Sequence, residues 1–137
     1  MEIMKIKTIQ NVQTFDPGRP MFSISVIADI LKVHPRTLRI YDDENILIPS
    51  RSPKNRRLYS FNDIEKGKFI QYMTRDLGIN LVGIKIIMYF LSKQNISPTE
   101  HLNYISKAAT ELNISSEAQI EKRNKLSKRG RKSINST

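Results

Sequence analysis

The chain contains no cysteine and only two histidines. Without thiols, disulfides, thiolate zinc sites and thiol redox switches are all excluded. His34 falls at an expected helix cap and His101 in an amphipathic stretch, so cap and surface roles are expected of them, and neither belongs to a His-Glu zinc motif. Glycine is sparse, with five residues, and forms no phosphate-cradling loop. The three consecutive acids Asp42-Asp43-Glu44 carry oxygen ligands, but adjacent helical positions point in different directions. No enzymatic activity, cofactor or metal is therefore expected. The longest apolar run, LVGIKIIMYFL at 81–91, is interrupted by Lys85 and falls short of the roughly 18 residues that span a bilayer. The N-terminal MEIMKIKTIQ has no signal-peptide apolar core. A soluble, cytoplasmic protein with no membrane partner is the expectation.

What the chain has in excess is positive charge. Against 13 acids stand 23 Lys and Arg, a formal net charge of +10 over 137 residues. A pI near 10.0 makes a polyanion the leading class of partner, nucleic acid or an acidic membrane surface. The length suits one domain with extensions rather than a large catalytic scaffold.

Four segments are expected. Residues 1–20 read as a flexible arm closed by the turn DPGRP. Residues 21–92 form the ordered domain, 93–115 a further helix available for dimerisation, and 116–137 a basic, disordered tail. Within the domain, SVIADIL is a helix capped by Ser23 or Ser25, with Val26, Ile27, Ile30 and Leu31 at helical spacing. Lys32 and Val33 make a tight link to a second helix that starts with His34 at the cap and Pro35 at the first helical position. Two short helices with so brief a turn predict helix-turn-helix. Ile46–Ile48 and Arg57–Tyr59 are expected to pair as strands around a tip at Pro53-Lys54-Asn55, where Asn55 tolerates positive φ. Ser60 and Asp63 predict a capping box for a third helix carrying Ile64, Met73 and Leu77 and ending at Gly78. Asn80 caps a fourth helix, apolar on most faces and expected to be the central core element. The SPTE box at 97–100 starts a fifth, whose Leu102, Ile105, Ala109 and Leu112 space like a seam.

The chemistry lies in the second helix and the hairpin. At 100° per residue, Leu38, Tyr41 and Asn45 lie toward one side and Arg36, Arg39 and Asp43 toward the other. Arg36 and Arg39 can reach base edges or phosphates if the N-terminal half enters a major groove. The competing reading pairs Arg39 with Asp42 or Asp43 at i+3 or i+4, a surface contact worth about 0.2–0.5 kcal/mol. The acids also stand as candidates to orient the arginines. Arg51, Lys54, Arg56, Arg57 and Tyr59 form a second basic element on the hairpin, placed to touch phosphates. Tyr59 suits a ring packed on the core, with its hydroxyl available to a phosphate. The tail's KLSKRGRKS favours general electrostatic attraction over minor-groove reading.

The motifs FSISVIADILKVHPRTLRIYDDENIL, PSRSPKNRRLYS and DLGINLVGIKIIM, in this order over residues 22–88, resemble the winged-helix DNA-binding domain of the MerR family of bacterial transcription regulators. Within it they look most like the heat-shock repressor branch, HspR. The resemblance implies a mainly α winged helix-turn-helix fold with a small β-hairpin wing, followed by a C-terminal helix. It implies a homodimer on double-stranded DNA with an inverted-repeat operator, and a DnaK-type chaperone as possible co-repressor. DNA-contact roles carry over onto Arg36, Thr37, Arg39 and Tyr41 of the helix and Arg51, Arg57 and Tyr59 of the wing, and charge adds Arg56. Two departures stand out: Lys54-Asn55 at the wing tip where relatives commonly have glycine, and Ile40-Tyr41 where many have Tyr-Tyr. The expected function is a dimeric repressor of heat-shock and chaperone genes. Alternatives are an effector-responsive activator of the same family, an excisionase-like architectural DNA-binding protein, and a non-enzymatic chaperone adaptor.

Overall fold

The computed structural model describes residues 15–114 and 120–127. Residues 1–14 of the arm expected over 1–20, together with residues 115–119 and 128–137, lie outside the described residues. The chain divides into two compact units, Met1–Glu65 and Lys66–Thr137.

In the first unit, Phe15 meets Phe61 edge-on at 5.9 Å between centroids. The Asp16 carboxylate then accepts from the Gly18 N–H, and the Arg19 N–H closes the turn on the Asp16 carbonyl. The Asn62 N–H donates to the Pro17 carbonyl, so the turn expected at DPGRP is tied to the start of a helix. Strand β1 (Phe22–Ser23) leads into helix α1 (Ile24–Leu31), with Ser23 accepting from the Val26 N–H. The inward face is Ile27, Ala28 and Leu31. Val26 and Ile30, expected to share that face, are exposed, and the buried positions between them are taken by Ile27 and Ala28. Lys32 takes the left-handed conformation, φ 56°, and its N–H and that of Val33 satisfy the Ala28 and Asp29 carbonyls.

Helix α2 (Pro35–Asp43) follows at once. It ends at Asp43 with Glu44 as its cap; Asn45 follows in the left-handed conformation, φ 58°, after which the N–H groups of Ile46 and Leu47 both donate to the Tyr41 carbonyl. Asn45 is therefore a turn residue and not part of the helix face. This use of two N–H groups, with Pro49 supplying none, also explains why 46–48 is no strand: Ile46 and Leu47 plug the core while Ile48 is exposed. The hairpin forms later, between β2 (Ser50–Arg51) and β3 (Arg57–Tyr59), and β1 covers the other edge of β3. Both pairings are antiparallel, Phe22 opposite Tyr59 and Arg51 opposite Arg57.

Helix α3 (Phe61–Gln71) opens with the expected capping box: Ser60 N–H to Asp63 Oδ2 at 2.8 Å and Asp63 N–H to Ser60 Oγ at 3.1 Å. It widens into a π turn at Tyr72–Asp76 and closes through Gly78, φ 68°.

In the second unit, Asn80 Oδ1 accepts from the Gly83 N–H and caps α4 (Leu81–Lys93). This helix is not the all-round core element expected. It buries the stripe of Ile84 and Leu91, flanked by half-buried Ile87 and Met88, while Val82, Ile86, Tyr89 and Phe90 are each more than half exposed. A helix apolar on most faces has no polar side to mark which stripe turns inward.

The SPTE box does not form either. Ser97 Oγ meets the Thr99 hydroxyl at 3.0 Å, residues Pro98–Glu100 make a 3-10 turn, and α5 (His101–Glu111) follows. His101 is part of this packing, not a surface residue: its Nε2 is 3.0 Å from the Ile96 carbonyl and its ring lies 5.7 Å from that of Phe69. Along the seam, Ala109 is buried whereas Leu102 and Leu112 are exposed. Residues 120–127, in the segment expected to be tail, are helical. No helix of the described residues is long and apolar enough to cross a membrane.

Candidate nucleic-acid interface

Helix α2 can carry an exposed basic edge because its start and its inner face are fixed independently. His34 Nδ1 accepts from the Arg36 N–H at 3.0 Å, satisfying one of the orphan donors of the first turn, and Pro35 sits where a missing N–H costs nothing. Leu38 and Tyr41, buried, anchor the helix from below. Burial of a leucine of this kind contributes about 1.5–3 kcal/mol. Arg36 and Arg39 are left exposed on the other side, with Thr37 half-buried between them. Arg39 forms no ion pair with Asp42 or Asp43 among the described residues.

Asp42 is engaged elsewhere. Its Oδ2 accepts from Arg57 Nε at 2.9 Å and from Arg51 Nη2 at 3.3 Å. The two arginines face each other across the β2–β3 register, which brings both guanidinium groups to one carboxylate. Nη1 of Arg51 donates to the Asn55 carbonyl at 3.2 Å. The end of α2, both wing strands and the wing tip are thereby joined through three side chains and one carbonyl. Asn55 takes φ 62°, as its place in the tip predicts, and Ser52 closes the loop by accepting from the Asn55 and Arg56 N–H groups. Lys54 and Arg56 project into solvent at this tip.

The eight residues expected to meet DNA thus fall into three sets. Arg36, Thr37 and Arg39 line the outer edge of α2. Arg51, Arg56 and Arg57 line the wing, the first and third already holding Asp42. Tyr41 and Tyr59 are inside: Tyr59 packs its ring in the core as expected, but its hydroxyl is buried too and has no hydrogen-bond partner among the described residues. It is not presented to a phosphate in this arrangement. Burial pushes the Tyr59 phenol up to about 12, against the opposing pull of Arg57 and with smaller upward contributions from Asp42 and Asp63. Asp42 was missed as a wing residue because its partners lie 9 and 15 positions away, beyond the helical i+3 and i+4 spacing. Its neighbours in sequence gave no signal of this. Among the described residues no three acidic or histidine side chains group so as to hold a metal ion.

Residues 22–91 match the model of the MerR HTH family regulatory protein. The chain is similar to the HTH-type transcriptional regulator GlnR of Bacillus anthracis and of Bacillus cereus, 34% identical over 90 residues that cover 64% of this chain and 69% of each of those proteins. It is also similar to the putative heat shock protein HspR of Streptomyces coelicolor, 44% identical over 69 residues, 50% of this chain and 46% of that one. The family match over residues 22–91 spans the helix-turn-helix, the wing and α3, so the exposed arginines of α2 stand on the scaffold of a known class of transcription regulators. The chain belongs to the MerR family of helix-turn-helix transcription regulators.

Proposed function

We propose that this regulator is a homodimer that reads an inverted-repeat operator and represses heat-shock and chaperone genes. Each subunit inserts the N-terminal half of α2 into the major groove, with Arg36, Thr37 and Arg39 at base edges and phosphates, and grips the flanking backbone with the wing. The observation that carries the DNA-reading part is the exposed pair Arg36 and Arg39 one turn apart on a helix whose opposite side is anchored by Leu38 and Tyr41. Dimerisation is supported by apolar side chains left uncovered on α4 and α5, including Ile86, Phe90 and Leu102. The similarity to HspR supports the heat-shock assignment, and a DnaK-type chaperone is the co-repressor we assign to it.

The experiment is recovery of bound DNA genome-wide before and after heat stress, with footprinting of the strongest site. Enrichment at chaperone promoters that falls on heating is the expected result. Enrichment unrelated to chaperone genes removes the heat-shock assignment. Equal affinity for selected and random duplexes removes sequence-specific regulation altogether. A second reading, a regulator outside the heat-shock response, is favoured by the GlnR match, which extends over 90 residues against 69 for HspR. The same recovery distinguishes the two.

A further inference from the structure

We infer that Asp42 is a positioning residue for DNA reading: by holding Arg57 and Arg51 together it locks the wing against the end of α2, so that helix and wing meet the duplex as one body. This rests on the proposed DNA-reading role of α2. The geometry is direct. One carboxylate oxygen receives Arg57 Nε at 2.9 Å and Arg51 Nη2 at 3.3 Å, and the second branch of Arg51 continues to the Asn55 carbonyl in the wing tip. Asp42 is itself mostly shielded, its side chain 15% exposed, and Arg57 at 21% is shielded almost as well. An isolated ion pair at the surface contributes little. Here the same oxygen joins elements that are otherwise separated by the 46–49 crossing, so its main effect is on relative placement.

The arrangement also divides the wing's cations by task. A guanidinium has five N–H donors, and Arg51 directs two of its nitrogens inward while Arg57 directs its Nε inward. Arg56 and Lys54, exposed at the tip, keep their charge for phosphate. Arg51 and Arg57 therefore act on DNA with an orientation already set, and Arg56 acts as a general electrostatic contact.

The sign of one substitution separates positioning from simple charge. A carboxylate beside a polyanion repels it, so removing an acid that acts only through charge strengthens binding to any DNA. Removing an acid that sets the geometry weakens binding to the preferred sequence and spares the rest. The test uses the full chain with a duplex recovered by in vitro selection from a randomised pool and a random duplex of equal length, titrated across salt concentration. Asp42→Asn is compared with Asp43→Asn, an equal charge change at the adjacent exposed position. For Asp42→Asn, a loss of about tenfold in affinity for the selected duplex is expected, with random-duplex affinity unchanged or raised. For Asp43→Asn no loss on either duplex is expected.

Arg57→Lys supplies a second route that keeps the wing charge while removing the Nε that reaches Asp42. It is expected to lose selected-duplex affinity at an unchanged salt slope, and to add nothing in the Asp42→Asn background. If the parent chain discriminates between duplexes but Asp42→Asn tracks Asp43→Asn, or the Arg57→Lys and Asp42→Asn effects multiply independently, the positioning inference is overturned alone. A parent chain that binds both duplexes equally overturns the regulator reading and this inference with it.

Discussion

Helices α2 and α4 make an instructive pair. Each is capped by a side chain just before its first turn, His34 for one and Asn80 for the other, and each buries a narrow apolar stripe. They differ in what remains outside. α2 presents Arg36 and Arg39, whereas α4 presents Val82, Ile86, Tyr89 and Phe90. The inner stripe holds a helix in its unit, and the outer stripe states what kind of surface it can meet: an anion for α2, an apolar surface for α4.

The strongest way to break the comparison is to remove an inner anchor. Leu38→Ala opens a cavity in a fully buried site, and a loss of about 2–5 kcal/mol in urea unfolding is expected, against little change for truncation of an outer residue. Next in size is Arg39→Ala, expected to lower affinity for the selected duplex by about 1–3 kcal/mol and relax base preference while leaving the unfolding midpoint unchanged. Unfolding curves and anisotropy titrations on the same sample read both.

Tyr59→Phe tests the one polar misfit under the wing. It removes a buried hydroxyl without a partner among the described residues, so a gain of about 1 kcal/mol is expected. The alkaline arm follows from the raised pKa. Above pH 10 the unfolded phenol ionises while the folded one stays protonated to about 12, so the unfolded state holds fewer protons and stability falls across that window. Tyr59→Phe should abolish this part of the loss, measured as thermal unfolding against pH.

Smaller still, Arg56→Ala should weaken all duplexes alike and lower the salt slope by about one. The smallest effect on stability, within about 0.5 kcal/mol, is expected for Ile86→Lys. Light scattering then sharpens the contrast: if the outer face of α4 lies in the proposed dimer, this variant is monomeric, while Arg39→Ala keeps the parent mass.

Much of α2 was legible because its signals are local. A cap at His34, a proline at the next position and two inward residues spaced three apart fix its start, direction and faces. The capping box at Ser60 and Asp63 and the positive φ of Asn55 are local in the same sense. The hairpin register was not, since Ile46–Ile48 is as apolar as a strand and only the diversion of two N–H groups to the Tyr41 carbonyl withdraws it from the sheet. Asp42 escaped for a related reason: the partners of a carboxylate across a fold leave no periodic trace in the chain. For α4 the pattern itself was ambiguous, and the buried stripe of Ile84 and Leu91 became visible only with the packing.

Asn55 adds a consequence of a different kind. A glycine at the wing tip would take the same left-handed backbone without strain but would bring many more unfolded conformations to be given up. Asparagine samples fewer, and Ser52 and Arg51 hold it from both sides. The conformational entropy of the tip is thus largely surrendered during folding, so the proposed seating of the wing on DNA would carry a smaller ordering penalty and a slower release.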